Sequence, residues 1–256
     1  MTQDETWLLK EKYLGKETAD FVIDCERLAR GEPLAYIIGS IPFLHTTIFL
    51  DTHPLIPRTE TEYWVEKIIT EIQNHRGRAP MIQMRALDLC AGSGCIGVAL
   101  LKNIPNVTVD FVEIDTVHHT TILKNIRENG IDETRTHIYG GNLYEELTQT
   151  YDIIFSNPPY IDPVTNDTDA NVLVHEPTLA LFGGENGLEL IQHIITDLPH
   201  MLTPTGIAYI EHDPQQSTSI REMSAACGYT SKTCTDQFGL ERYTHIYRKA
   251  MEDVSQ

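Results

Sequence analysis

From residue 84 onward, short apolar runs alternate with longer segments whose apolar residues recur at helical spacing. The apolar runs predict strands at 86–89, 107–114, 135–139, 152–156 and 206–211. The segments between them predict helices at 95–102, 116–129, 188–202 and 217–227. A closing antiparallel pair is predicted at 230–235 and 243–247. Because this alternation is typical of a parallel sheet covered on both faces, the sequence predicts an α/β fold whose ligand lies at the carboxyl ends of the strands.

The first part of the chain has a different pattern. Scattered apolar positions among many charged ones predict a short helical segment over residues 1–34. The helical pattern ends within it at Gly31-Glu32-Pro33. Two apolar runs, Ile37-Ile38 and Ile48-Phe49-Leu50, flank Pro42 and predict a hairpin. We therefore expect a hairpin linker over residues 35–60.

The main domain is then expected over residues 61–256. Its first helix is predicted to start near Glu62, where Thr59 or Thr61 can serve as the N-cap and apolar residues follow at helical spacing. A polar loop is predicted at 75–80 before the first strand of the sheet.

Composition narrows the class of protein. The chain has 256 residues and a net charge of −18, which opposes binding to phosphate backbones. No apolar run is long enough to span a bilayer, and the first residues lack the pattern of a secretory signal. The five cysteines are widely spaced and form no Cys-x-x-Cys pair, so neither disulfides nor a metal site is predicted. We expect a cytoplasmic protein that binds neither nucleic acid nor membranes.

A glycine-rich loop follows the strand predicted at 86–89. Its sequence is Asp88-Leu89-Cys90-Ala91-Gly92-Ser93-Gly94-Cys95-Ile96-Gly97. Gly92 and Gly94 allow a tight turn and close approach to a ligand, and Glu113 at the end of the next strand can accept both hydroxyls of an adenosine ribose. The spacing also satisfies the dinucleotide fingerprint, so a nicotinamide dehydrogenase remains open. An acid at Asp88 favours S-adenosylmethionine instead, because it can hold a cationic amine and would repel a pyrophosphate.

A second loop, Asn157-Pro158-Pro159-Tyr160, follows the strand predicted at 152–156. The two prolines fix two φ angles and display the Pro158 carbonyl in a stiff loop. The Asn157 side-chain oxygen is a second acceptor, so the pair can hold both hydrogens of a planar NH2 group while Tyr160 packs on its face. An amide nitrogen is a weak nucleophile, and two acceptors on its N–H groups favour a localised lone pair directed at a methyl donor.

With both loops in place, the chain resembles the HemK-type protein-(glutamine-N5) methyltransferases, which modify peptide chain release factors. Further matching segments are Gly31-Glu32-Pro33-Leu34-Ala35-Tyr36-Ile37-Ile38-Gly39, Ile56-Pro57-Arg58-Thr59-Glu60-Thr61-Glu62, His175-Glu176-Pro177, Gly183-Gly184 and Glu211-His212. The resemblance covers roughly residues 30 to 248. It implies a Rossmann-like, seven-stranded class I S-adenosylmethionine-dependent methyltransferase with a reduced helical N-terminal segment and a hairpin linker.

The resemblance also implies a set of site residues. The cofactor S-adenosylmethionine, which becomes S-adenosylhomocysteine, is expected to contact Asp88, Cys90, Ala91, Gly92, Ser93, Gly94, Glu113, Asn142, Leu143 and Asn157. Asn157, Pro158 and Tyr160 are the expected catalytic residues. The substrate glutamine is expected to contact Asn157, Pro158, Pro159, Tyr160, Arg58 and Glu176, although the last two can equally form a supporting ion pair. A monomer acting on a release factor is expected.

Departures from the family pattern keep alternatives open. Only about 30 residues precede the linker, where the family has a longer helical domain that engages the release factor. Asn142 stands where an aspartate is common, and Thr59 replaces a proline. The remaining alternatives are glutamine methylation of a ribosomal protein, adenine-N6 methylation of nucleic acid, the dehydrogenase and a non-catalytic binding module.

Overall fold

A computed structural model describes residues 1–76, 83–166 and 168–248 of the chain. The amino-terminal segment forms three helices: α1 (Gln3–Glu11), α2 (Ala19–Ala29) and α3 (Leu34–Ile38). They enclose a small apolar core of Leu8, Phe21 and Ile37. The buried Asp24 of α2 forms an ion pair with Lys12 at the end of α1 and a second one with Arg27 of its own helix. A hairpin of β1 (Ser40–Phe43) and β2 (Thr46–Phe49) follows, as predicted.

The remaining strands form one seven-stranded sheet in the described part of the chain. They are β3 (Met84–Leu89), β4 (Val107–Glu113), β5 (Thr136–Gly140), β6 (Tyr151–Ser156), β7 (Leu202–Glu211), β8 (Thr230–Thr235) and β9 (Glu241–Tyr247). Their order across the sheet is β5-β4-β3-β6-β7-β9-β8. The first five run parallel, and β9 pairs antiparallel with β7 and β8. The predicted strands and the closing antiparallel pair are therefore confirmed.

Helices cover both faces of this sheet. They are α4 (Thr59–Arg76), α5 (Cys95–Asn103), α6 (His119–Glu128), α8 (Glu189–Met201) and α9 (Ser217–Ala226), while the short α7 (Ala170–His175) lies in the connection between β6 and α8. Neighbouring residues of one strand point to opposite faces, so Ile153 joins the core beneath α4, α5 and α6 while Ile154 joins the core beneath α8 and α9. The strands are buried on both sides, which explains their nearly continuous apolar sequence.

Three predictions were wrong in detail. Ile37-Ile38 belongs to α3 and not to the hairpin, because Pro33 opens a helical turn that Gly39 ends with a φ of 90°. Helix α4 begins at Thr59, earlier than predicted, and continues to Arg76, so the start of the predicted polar loop is helical. Residues 77–80 of that loop lie outside the described residues.

In the described ranges, no helix has the length and apolar character needed to cross a membrane.

Candidate active site

A cavity of about 360 Å³ opens at the carboxyl ends of β3, β4 and β6. This is the edge of a parallel sheet where the loops leave the strands and where ligands bind in such folds. Most of the predicted cofactor residues line it: Cys90, Ala91, Gly92, Ser93, Glu113, Asn142, Leu143 and Asn157. The structure therefore brings together side chains from four separate loops.

The glycine-rich loop joins β3 to α5 and forms one wall of the cavity. Gly92 and Gly94 have φ values of 55° and 76°, in the region that glycine adopts without a steric penalty. A Cβ added at Gly92 would meet nothing within 4 Å, so its open side is available to a ligand. Gly97 lies within α5 and packs directly on the Phe111 ring of β4, which leaves no room for a side chain. The third glycine of the motif thus sets helix packing and not ligand contact.

Glu113 ends β4 and is held by two backbone donors. Its Oε2 accepts from the Gly92 N–H at 2.8 Å, and its Oε1 accepts from the Asp115 N–H at 2.9 Å. The side chain is buried yet lines the cavity. A carboxylate oxygen has two lone pairs, so each oxygen keeps one that can accept from a ligand hydroxyl. Two such acceptors on one carboxylate can bind two adjacent hydroxyl groups.

Asp88 and Gly94 lie outside the cavity lining, although both were predicted to contact the cofactor. Asp88 is almost fully buried, and its Oδ2 accepts from the Gly97 N–H at 2.8 Å. Burial raises the pKa of Asp88 to about 7, and the nearby Glu113 contributes to the rise. Its observed contact is therefore with the amino end of α5.

Asn142 and Leu143 form the wall after β5. Leu143 is buried and has a φ of 51°, an uncommon value for a residue with a bulky side chain. Asn142 is exposed at the rim, where its N–H donates to Glu145 at 3.2 Å. The amide side chain of Asn142 can both donate and accept.

The Asn157-Pro158-Pro159-Tyr160 loop leaves β6 beside the glycine-rich loop. The Nδ2 of Asn157 donates to the Thr61 hydroxyl at 3.3 Å. In the described part of the chain, no donor reaches Asn157 Oδ1 or the Pro158 carbonyl oxygen. Asn157 and Pro159 line the cavity, whereas Pro158 and Tyr160 are not part of its lining. Asn157 Oδ1 and the Pro158 carbonyl oxygen, two acceptors on adjacent residues, thus receive no hydrogen bond from the described residues.

The same loop is held from behind by the segment 181–187. The Ile161 N–H donates to the Leu181 carbonyl, and the Gly183 N–H donates back to the Ile161 carbonyl, both at 3.0 Å. The Tyr160 carbonyl accepts from Gln216 Nε2 at 2.8 Å. The Tyr160 hydroxyl donates to Glu211 at 3.1 Å, which fixes the position of the ring. Burial raises the pKa of Tyr160. The expected packing of Tyr160 on a substrate stays a prediction.

Arg58 and Glu176 form an ion pair at 2.5 Å. The Glu176 carboxylate is buried and also accepts from the Ile56 N–H at 3.1 Å. Neither residue lines the cavity, but Pro57 and Pro177 beside them do. The pair therefore ties the linker to the end of α7 at the cavity rim.

Several wall residues were not predicted as site residues. Thr61 lies within the segment 56–62 that carries the family resemblance and Leu55 directly precedes it, so the sequence held a signal for them. Four further wall residues lie on helical turns with no local motif: His118, Leu179, Leu190 and His193.

The strand order, the glycine-rich loop and a carboxylate at the end of β4 define a class I S-adenosylmethionine-dependent methyltransferase fold. Residues 68–186 match the family model described as "Methyltransferase small domain". The L11 ribosomal protein methylase of Lactobacillus delbrueckii has the same fold, with a TM-score of 0.55, 17% identity, and coverage of 78% of this chain and 83% of that one. A methyltransferase of Pyrococcus furiosus superposes with a TM-score of 0.51 at 19% identity, covering 72% and 83% of the two chains.

Relatives at higher identity narrow the assignment. The release factor glutamine methyltransferase of Chlamydia trachomatis is 32% identical over 224 residues, which is 87% of this chain and 74% of that protein. The protein of the same name from Streptococcus pneumoniae is 33% identical and covers 93% of this chain and 84% of its own length. This chain belongs to the release factor glutamine methyltransferase family, as its motifs predicted. The ribosomal protein uL3 glutamine methyltransferase of Bradyrhizobium diazoefficiens is also related, at 31% identity over 75% of this chain and 60% of that one.

Proposed function

We propose that this chain transfers a methyl group from S-adenosylmethionine to the side-chain nitrogen of a glutamine in a release factor, within its Gly-Gly-Gln loop. The observation that carries the proposal is the arrangement of Asn157. Its Nδ2 is engaged by Thr61, while its Oδ1 and the neighbouring Pro158 carbonyl have no donor among the described residues. Two free acceptors on a stiff loop match the two hydrogens of a carboxamide.

The cavity fits the cofactor on two structural grounds. Glu113 presents one lone pair on each oxygen, and Gly92 leaves its open side toward the same space. Cys90, Ala91, Ser93, Asn142 and Leu143 complete the proposed cofactor site. When bound, S-adenosylmethionine supplies a methyl group on a cationic sulfur that keeps the electron pair of the broken bond.

The chain's own residues prepare the glutamine. Asn157 Oδ1 and the Pro158 carbonyl accept its two N–H groups, which holds the nitrogen in one place and favours a localised lone pair. The nitrogen lone pair forms the new bond to the methyl carbon, and the nitrogen then releases one of its two protons to solvent water. Tyr160 and Pro159 are proposed to shape the space around the carboxamide. Arg58 and Glu176, which were expected to touch the substrate, are proposed to support the rim through their ion pair.

The proposed partner is a protein, and the active form is proposed to be a cytoplasmic monomer that uses neither nucleic acid nor membrane. The family relationship supports a protein substrate. The net charge of −18 supports the exclusion of nucleic acid, because phosphate backbones would be repelled. Chromatography with light scattering tests the monomer.

The test is a transfer assay with three acceptors. The purified chain and S-adenosylmethionine are incubated with a bacterial release factor, with ribosomal protein uL3 and with single-stranded DNA. We expect peptide mass spectrometry to find one added CH2 unit, on the release factor glutamine only. Replacement of that glutamine by alanine in the release factor is the matched control. Transfer to uL3 or to DNA with none to the release factor would contradict the proposal.

A further inference from the structure

A buried polar cluster lies directly behind the Asn157 loop, and the proposed chemistry gives no role to its central carboxylate, Glu211. It consists of Glu211 at the end of β7, Thr61 and Trp64 of α4, and Tyr160. Glu211, Thr61 and Trp64 are at most 1% exposed. A buried carboxylate is costly unless donors surround it, and here three donors do. The Thr61 hydroxyl and the Trp64 indole each donate to Oε2 at 2.7 Å, and the Tyr160 hydroxyl donates to Oε1 at 3.1 Å.

These donors determine the direction of the next hydrogen bond. A threonine hydroxyl has one hydrogen, and Thr61 gives it to Glu211. Toward Asn157 the Thr61 oxygen can therefore only accept. The Asn157 carboxamide accordingly turns its Nδ2 to Thr61 and its Oδ1 away. If the carboxamide rotated by half a turn, two oxygens would face each other, and an NH2 group would replace the acceptor on the far side.

We propose that Glu211 and Thr61 are positioning residues that fix the orientation of the Asn157 carboxamide, so that its oxygen faces the substrate NH2. The inference rests on the proposed function, in which Asn157 Oδ1 accepts from the glutamine. The inverted carboxamide would place donor against donor and would lose the contact. In this proposal Glu211 acts on Asn157 through the Thr61 hydroxyl, and Thr61 acts through Asn157, so neither is assigned as a catalytic residue.

The alternative is that the cluster only stabilises the fold. A purely structural role predicts a lower melting temperature and a smaller active fraction, with no change in turnover per folded molecule. An orientation role predicts a lower kcat with unchanged cofactor binding, and this effect depends on the presence of Asn157. The two readings therefore differ in a measurable way.

The decisive variant is Thr61→Val, which keeps the shape of the side chain and removes the hydroxyl. We expect kcat on release factor to fall by about 10- to 100-fold, somewhat less than for complete loss of a preorganised contact. The Kd for S-adenosylmethionine should stay within about twofold, because the Glu113 contacts are untouched. Thr61→Ser restores the hydroxyl and should recover most of the rate. Thr46→Val is the matched control, because Thr46 is also a buried threonine whose hydroxyl donates to a backbone carbonyl, in the β1–β2 hairpin.

A double-mutant cycle separates the two roles. In the Asn157→Ala background, Thr61→Val should lower single-turnover rates by less than about twofold, because the residue through which it acts is gone. A full additional loss in that background would overturn the inference, as would wild-type kcat in Thr61→Val alone. The same loss of kcat in Thr46→Val would also overturn it, since it would reduce the effect to general destabilisation.

A readout without substrate keeps the inference separate from the proposed function. The side-chain amide resonance of Asn157, assigned by its disappearance in Asn157→Ala, should shift in Thr61→Val and remain in place in Thr46→Val. If the wild type methylated no release factor, the proposed function would fail while this spectrum still tested the Thr61–Asn157 contact on which the inference depends. An unshifted Asn157 resonance in Thr61→Val would overturn the inference whatever the substrate.

Discussion

Gly183→Ala should reduce catalysis without unfolding the protein. Gly183 does not have a positive φ, so an alanine is conformationally acceptable there, and the obstacle is steric. The added Cβ would overlap the Pro159 carbonyl oxygen and lie 2.7 Å from the Gly187 carbonyl oxygen. Reaching ordinary contact distance requires a separation of about 1 Å more. Because both neighbours are backbone atoms, the Asn157-Pro158-Pro159-Tyr160 loop and the segment 181–187 must shift relative to each other.

A displacement of that size at a positioning group costs about 10²-fold in rate. We therefore expect kcat on release factor to fall by about 100-fold, and the Kd for S-adenosylmethionine by calorimetry to rise by less than about fivefold, since Glu113 stays in place. Gly206→Ala is the matched control, because its Cβ would lie 2.8 Å from the Tyr151 carbonyl oxygen at the opposite end of the sheet. It should lower stability while kcat per folded molecule is retained. Equal kcat values for Gly183→Ala and wild type would refute the claim that segment 181–187 sets the loop position.

Three further predictions follow from the contacts of single carboxylates. Glu113→Ala should raise the Kd for S-adenosylmethionine by about 100-fold, because two charge-assisted hydrogen bonds are lost; calorimetry with an unchanged Kd would contradict the ribose role. Asp88 has a pKa of about 7 when folded, above its unfolded value of about 3.9. Its contribution to stability is therefore present at low pH and is lost as the pH rises from about 4 to 7. Urea unfolding should show Asp88→Asn to be more stable than wild type at pH 8, by at most about 4 kcal/mol. At pH 4 this advantage should be absent. Glu176→Gln should cost about 3 kcal/mol of unfolding free energy by leaving Arg58 without its charged partner, and a loss under about 1 kcal/mol would show that the pair is screened.

The sheet and its two ligand loops were predictable because their signals are local. Each strand of the parallel part is an apolar run of a few residues, and the boundaries differ from the predicted ones by only a few positions, apart from β7, which starts at Leu202. The loops follow directly from the ends of β3 and β6, so topology alone brings them together at one edge. Burial on both faces explains why the runs were unbroken.

Short helices and unusual backbone angles could not be predicted from apolar patterns and local motifs. Helices α3 and α7 have five and six residues, too few for a helical period to show. Cys90 and Leu143 have φ values of 62° and 51°, and neither residue type signals a left-handed conformation. Such angles cost of order 1–3 kcal/mol and persist where the surroundings determine them. Both residues line the cavity, so the cavity wall requires backbone angles that these residue types do not favour by themselves.

The role of Asp88 shows a further limit. Its place before the glycines suggested a charge for the cofactor, yet its carboxylate turns to the Gly97 N–H. The direction of a side chain at a strand end depends on the first turn of the following helix, which offers unpaired donors. Sequence spacing identifies the loop, but it does not specify which donor the acid takes.

Two properties of the Asn157 loop have different origins: the rigidity of its backbone and the orientation of its carboxamide. Its prolines limit the backbone locally and can be read from the sequence. The orientation of its carboxamide depends on Thr61 and Glu211, which are 150 residues apart and meet only because α4 packs against the end of β7. A weakly nucleophilic amide needs both, because stiffness without the correct orientation would present a donor to the substrate's N–H groups. Local sequence therefore supplies the rigidity of the loop, and tertiary packing determines which end of the Asn157 carboxamide faces the substrate.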